Sequence, residues 1–400
     1  MMQHLIFFFI LGIDVIVLFF QIDNLSISSS ETHILYEENS FLSYVFNFIL
    51  SIFGNNDYAL RIPIIIIHLM SAVLFYSISK HYLKTTRDQL WLLLLFVMLP
   101  GTLSAAIVFS HAFLVLLGLL LYIYLDQKYP AKYTNILLLF YTFIDGGFAY
   151  LLLGILVYNI FVKDYRNIAF NFVLLLISAY LYRLQIYGIP SGHFLDTIGV
   201  YSAIFTPIIF VYVVYSLYRK YLADKIDKVW YIATTTLIFS LLLSFRQRLD
   251  IEYFAPYLII ALPLAAQTFV HSYRVRLKMF RKRYKTIFVL SFIFLILNTL
   301  VVLFNKTIYA YLEDPKKHFA YNMYVAKELA QNLKEMNIEC VDTDLKMQQR
   351  LQFYNISKCA TNFLEEVSLS HENHSDVTIS YKSQPVYRAN VTKINIKDPN

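Results

Sequence analysis

The chain changes character at about residue 305. Before that point runs a series of apolar stretches, each long enough to cross a bilayer; after it come roughly 95 residues with no spanning segment. A sequence of this kind is expected to fold as a polytopic α-helical membrane protein, residues 1–305, followed by a small α/β domain, residues 306–400. Composition agrees. Charged residues are 15% of the chain and hydrophobic ones 58%, whereas a soluble domain carries about 25% charged residues. Most soluble enzyme classes are thereby set aside. The net charge of +7 does not point to nucleic acid, because the basic residues cluster between apolar stretches and form no stacking platform or groove pattern.

Spans are expected near 4–21, 58–79, 89–106, 108–125, 133–145, 147–162, 167–187, 199–218, 229–245, 253–272 and 285–304, about eleven transmembrane helices in all. The first, Leu5–Phe20, has no small-residue cleavage pattern after it and reads as an uncleaved span. Asp145-Gly146-Gly147 marks a turn inside the crowded 135–160 stretch. Loop charge gives an independent check. Lys80, Lys84 and Arg87; Lys128 and Lys132; Lys163 and Arg166; Arg219, Lys220, Lys225 and Lys228; and the Arg274–Lys285 run all fall on one side if there are eleven spans and a cytoplasmic N-terminus. Merging 133–162 into one span breaks that alternation.

Three segments then lie outside: 22–57, 188–198 and the tail 306–400. In the tail, Ala320–Met336 and Leu345–Phe353 have helical spacing, while Ile338–Val341, Val377–Tyr381 and Val391–Ile396 have strand character. The only two cysteines, Cys340 and Cys359, are both here. An exported pair is compatible with a disulfide, and two buried thiols are the alternative. No glycine-rich phosphate loop occurs, so a nucleotide-binding role has no support. The 22–57 segment holds Glu31, His33, Tyr36, Glu37 and Glu38, followed by an apolar stretch, Phe41–Phe53, too short to cross and suited to lying along the interface. Carboxylates with a histidine suit general-base or metal-assisted transfer, and equally a solvated loop.

The order of these features resembles a known family. The run Gly54-Asn55-Asn56-Asp57-Tyr58-Ala59-Leu60-Arg61-Ile62-Pro63, opening the second span after an acidic outer loop and an interfacial helix, is similar to the "F-G-x-x-x-x-A-x-R-x-P" entry of GT-C fold membrane glycosyltransferases. The branch concerned holds the aminoarabinose lipid A transferases, protein O-mannosyltransferases and Rgt-type enzymes. Arg248-Leu249-Asp250-Ile251-Glu252-Tyr253-Phe254-Ala255-Pro256 resembles its "R-Y-x-x-x-x-P" entry to a late span, and Val341–Asp344 with Leu351–Tyr354 resembles its small outer domain. Each motif is short; their order across most of the chain carries the resemblance.

What the resemblance implies is a glycosyltransferase of a bacterial inner membrane with a periplasmic tail. It would move a sugar from a polyprenyl-phosphate-linked donor to a lipid A, polysaccharide or protein acceptor, among membrane lipids and without nucleic acid. Glu31, His33 and His111 are then the catalytic candidates. Arg248, Arg246 and Arg61 are candidates for the donor phosphate, and Tyr36, Glu37, Asp145 and His193 for the acceptor entrance. No cofactor is certain, although a divalent cation is compatible with the chemistry. The sequence also departs from the family. The first acid of the family's outer-loop pair aligns with Ser30, leaving Glu31, and a second acidic position aligns with Ser110-His111. A histidine can serve as base or metal ligand. The departures keep open a catalytically inactive relative acting as an assembly protein. A transporter or flippase calls for paired broken helices and internal repeats, and no repeat is evident. Arg248 and Arg246 face Asp250 and Glu252 and suit a local ion pair; Arg61 suits capping of the second span; Asp14, inside the first span, suits a structural partnership with a neighbouring helix.

Overall fold

A computed structural model describes residues 2–183, 192–223, 226–367, 376–382 and 384–393. Its helices are α1 Met2–Asn24, α2 Ser29–Tyr36, α3 Phe41–Phe53, α4 Asp57–Tyr82, α5 Thr86–Met98, α6 Pro100–Ala105, α7 His111–Lys128, α8 Ala131–Ile144, α9 Ala149–Val162 and α10 Tyr165–Leu181. They continue with α11 Phe194–Phe205, α12 Pro207–Leu222, α13 Lys228–Ser244, α14 Ala255–Ile259, α15 Leu262–Val275, α16 Lys278–Leu303, α17 Ala326–Glu335 and α18 Leu345–Phe353. The strands are β1 Asn362–Glu366, β2 Val377–Tyr381 and β3 Gln384–Lys393. The chain divides into two compact units: Met1–Ile16 with Ile64–Thr299, and Val17–Pro63 with Leu300–Asn400.

The first unit is helical. Among the described residues, Met2–Asn24, Asp57–Tyr82, His111–Lys128, Ile251–Val275 and Arg281–Leu303 are long and apolar enough to cross a membrane. The most apolar stretches of α1 and α16 are only 17% and 11% buried, which is what lipid-facing helices require and what water would not tolerate. The protein is therefore a multi-pass membrane protein. α9 packs between α10 and α13. Gly154 makes the second contact possible, since a Cβ there would stand 2.8 Å from the Ile232 Cα. The core collects Phe75, Phe96, Leu119, Leu151, Leu152 and Ile232, all nearly or fully buried.

Two expected straight spans are broken, each at a proline. The 89–106 span stops at Leu99, held extended (φ −61°, ψ 133°) because the ring of Pro100 disfavours helical backbone before it, and α6 restarts with Pro100 in its first turn. The 199–218 span bends by 104° between α11 and α12, around Thr206 and Pro207. Thr206 has φ of 65°, a conformation uncommon for a β-branched residue. The late span, Ile251–Val275, contains α14 and α15.

In the second unit, the 22–57 stretch holds the expected helix over Phe41–Phe53, α3, and a further one, α2, packed on α3 and on α18. α3 buries Leu42, Ser43, Phe46 and Leu50 while exposing Phe41, Tyr44, Phe48 and Ile52, an apolar exposed face at helical spacing. The expected 320–336 helix starts late, at Ala326, after short 3-10 turns. The expected strand at Ile338–Val341 is reduced to an isolated bridge, Cys340 with Ser357, beside another, Asp342 with Phe363. The sheet is antiparallel in the order β1-β3-β2, with Leu364 opposite Val391 and Val377 opposite Ala389. β3 starts earlier than expected, at Gln384, and residues 394–396 of the expected strand lie outside the described residues, as do Gly188, Pro190 and Lys225. Leu329, Leu333, Val341, Leu351 and Phe353 form the interior. Cys340 and Cys359 are joined by a disulfide with Cα atoms 5.5 Å apart, closing a loop 19 residues long.

Candidate functional site

In the second unit, polar groups converge on the strand-like stretch before α2. Ser28 caps α2 by accepting from the Glu31 backbone N (3.3 Å), and Glu31 Oε2 accepts from the Ser28 N (2.7 Å), a reciprocal capping box. Glu31 Oε1 lies 3.5 Å from Arg61 Nη1, and both side chains are essentially unexposed. Arg61 also donates to Ser26 O (3.2 Å). Instead of capping the end of a span, Arg61 sits within the early part of α4 and neutralises a buried carboxylate.

Arg350 of α18 reinforces the same stretch. Its Nε donates to Ile27 O (2.8 Å) and its Nη2 to Ser26 Oγ (3.3 Å) and Tyr324 O. Burial lowers the pKa of this guanidinium, while neighbours including Tyr354 and Glu31 favour its charge. Tyr354 accepts from Ile27 N (3.0 Å) and donates to Asp57 Oδ1 (2.9 Å); Asp57 Oδ2 meets Lys327 at 3.0 Å. Burial, followed by the Asp57 charge, raises the Tyr354 hydroxyl's pKa and keeps it a donor. The remaining candidates of this segment point elsewhere. His33 is exposed on α2, 3.3 Å from Glu37 and 3.5 Å from Glu38. Glu37 also accepts from Gln349 (2.5 Å), and Tyr36 is partly exposed. Glu31 and His33 thus occupy a buried and an exposed face of one helix.

The first unit holds a second centre. His111 opens α7, 5% exposed, and its Nδ1 lies 2.5 Å from Asp145 Oδ2. Asp145, 2% exposed, is fixed in turn: Oδ1 accepts from Gly147 N (2.7 Å), capping a 3-10 turn over Gly146–Phe148. Tyr257 donates to Gly147 O (2.6 Å). Only glycine fits at 147, since a Cβ there would meet Val115 Cγ2 at 2.6 Å and Tyr253 at 2.9 Å. A carboxylate on Nδ1 favours the tautomer that carries its proton on that nitrogen. The His111 ring lies 5.1 Å from Tyr253, three residues past Asp250 in the stretch opened by Arg248. Arg248 and Arg246 are exposed. Arg248 forms no ion pair among the described residues, so the local pair with Asp250 or Glu252 expected for it is absent.

His193 and Asp14 are paired elsewhere in this unit. His193 lies 3.5 Å from Asp196 at the start of α11. Asp14 finds its partner on a neighbouring helix, His68 at 3.0 Å, both buried. Among the described residues no group of three His, Cys, Asp or Glu side chains is placed to hold a metal ion.

The sequence reading missed Asp57, Lys327, Arg350 and Tyr354. The capping box was visible as Ser28-x-x-Glu31 ahead of Ile34 and Leu35 and would have foretold a structural use for Glu31. Nothing local announces Arg350, whose partners Ile27 and Ser26 lie more than 300 residues away.

No family model matches the chain, and no curated protein does. Among solved structures it is similar to the crystal structure of ArnT from Cupriavidus metallidurans in the apo state. The TM-score is 0.55 and the identity 11%, over 88% of this chain and 84% of that one. The likeness is one of fold: the chain shares the overall architecture of that structure.

Proposed function

We propose that the protein transfers a sugar from a polyprenyl-phosphate-linked donor to an acceptor hydroxyl at the periplasmic face of a bacterial inner membrane. The fold likeness supports the reaction class, and the Cys340–Cys359 bond suits an oxidising compartment. The observation that carries the residue assignment is the His111–Asp145 pair, buried beside the Arg248 stretch.

His111 Nε2, oriented by Asp145, takes the proton of the acceptor hydroxyl as its oxygen bonds to the anomeric carbon. The bond from that carbon to the phosphate oxygen breaks, and the lipid phosphate leaves with the electron pair. Arg248, exposed and without an ion pair among the described residues, neutralises that phosphate. Glu31 serves the second unit as a buried anchor for Arg61, and the acceptor is a lipid, glycan or protein. The described residues supply no triad of metal donors, and no step is routed through a cation.

The test is saturable binding of a polyprenyl phosphate to the purified protein. Arg248→Ala is expected to weaken it by about tenfold, the loss of a hydrogen bond to a charged group. Absence of binding in a folded wild type would overturn the reading. That result would favour the second one, a non-catalytic assembly protein, which the commitment of Glu31 to a capping box and to Arg61 supports.

A further inference from the structure

The first unit contains a cavity of ≈ 220 Å³ that the proposed transfer does not use. It lies where the C-terminal ends of α4 and α7 meet the start of α13, and His81, Tyr82, Tyr122, Asp126, Asp227 and Lys228 line it. For scale, a cavity of about 150 Å³ holds a benzene-sized guest.

The lining is negative on balance. Two carboxylates face one ammonium, Lys228 Nζ, which meets Asp126 Oδ1 at 2.5 Å. Asp227 accepts from Trp230 N at Oδ1 (2.9 Å) and from the Tyr82 hydroxyl at Oδ2 (2.8 Å). Each carboxylate oxygen has two lone pairs, so both side chains keep acceptor capacity. Tyr122 supplies the independent sign of a ligand. It is 2% exposed, it lines the cavity, and its hydroxyl makes no hydrogen bond among the described residues. A phenol that deeply buried ordinarily finds a partner.

The guest's chemistry follows from this lining. A hard metal ion fits poorly, because no three His, Cys, Asp or Glu donors converge among the described residues. An organic ammonium matches the net negative charge, the spare carboxylate lone pairs, the Tyr122 oxygen and the tyrosine rings. Lys228 in the wall supplies a cation for a phosphate next to that ammonium. We infer that this cavity is a binding site for a primary ammonium group of the ethanolamine type, carried by a phospholipid head group or by a free amine. The inference is independent of the transfer reaction.

The experiment uses the full-length protein, purified in detergent and stripped of lipid. Binding of short-chain phosphatidylethanolamine and of free ethanolamine is titrated separately, for wild type, Asp227→Asn and Tyr122→Phe. Asparagine caps a helix as well as aspartate does, so Asp227→Asn keeps α13 while removing the charge. Tyr122→Phe deletes one oxygen from a packed ring, so it provides a folded test even where the other variant is not recovered. Saturable binding is expected, weakened about tenfold by Asp227→Asn and severalfold by Tyr122→Phe. Binding of the phospholipid alone assigns a lipid site, and binding of both assigns a site that reads the amine. Failure of both ligands to saturate overturns the inference, as does binding unchanged in the recovered variants.

Discussion

Two buried carboxylates, Glu31 and Asp145, have the same chemistry and opposite surroundings. Glu31 has a backbone N–H on one oxygen and the Arg61 guanidinium near the other. Asp145 also gives one oxygen to a backbone N–H, but its other oxygen meets the imidazole of His111. A carboxylate that ends on a guanidinium ends on a group that stays charged at any working pH. One that ends on a histidine ends on a group that exchanges protons near neutrality. The lesson is that the partner, rather than the acid, separates an anchor from a candidate for proton transfer.

The largest effect should come from the proton-transfer side. His111→Gln keeps a polar group against Asp145 but removes the base, and turnover is expected to fall by about 10²- to 10⁴-fold. Asp145→Asn should also impair turnover, through the tautomer and orientation of the ring, with donor binding unchanged. Initial rates and donor titrations on the same preparations check both. A His111→Gln protein with wild-type turnover would erase the contrast between the two centres.

The anchor side should answer in stability. Arg61→Ala leaves Glu31 charged, buried and without its guanidinium, and a loss of about 3–5 kcal/mol is expected. Thermal unfolding in detergent should show it as a marked drop in midpoint. Glu31→Gln is milder, because the amide oxygen can still accept from Ser28 N; a loss of about 1–3 kcal/mol is expected. Turnover per folded molecule should survive that change. Were Glu31→Gln to abolish turnover at unchanged stability, the roles of the two carboxylates would have to be exchanged.

The parts of this arrangement legible in sequence are those carried by local pattern. Helix positions followed from apolar runs, and α3 appears with the expected bounds, Phe41–Phe53, because its periodicity and flanking Ser40 and Gly54 are local signals. The breaks before Pro100 and Pro207 have equally local signals, the prolines themselves. Pairings were not legible. His111 and Asp145 are 34 residues apart and Arg350 lies 323 residues from Ile27, separations across which periodicity carries no information. Burial was not legible either, so Glu31 and His33, two residues apart, looked like one cluster until the helix between them placed them on different faces.

The smallest effect sharpens the comparison through a third histidine, His318 in the second unit. Its partners are backbone groups, whereas His111 faces a carboxylate: Nε2 donates to Asn305 O (3.1 Å) and Nδ1 accepts from Ala320 N (3.1 Å). Only the neutral ring can do both, and burial lowers its pKa from the usual 6.5 despite the Asn305 carbonyl, which acts to raise it. A folded pKa below the unfolded one means that the unfolded chain binds more protons as the pH falls through 6.5. Stability contributed by neutral His318 is therefore present above that value and is lost as pH falls from it toward the folded pKa. One proton limits the slope to about 1.4 kcal/mol per pH unit. Unfolding midpoints between pH 7 and 5 should fall less steeply in His318→Gln, which keeps a donor and an acceptor but does not titrate. Parallel curves for the two proteins would show that the titrating stability resides elsewhere, with the carboxylate-bound His111 as the next histidine to replace.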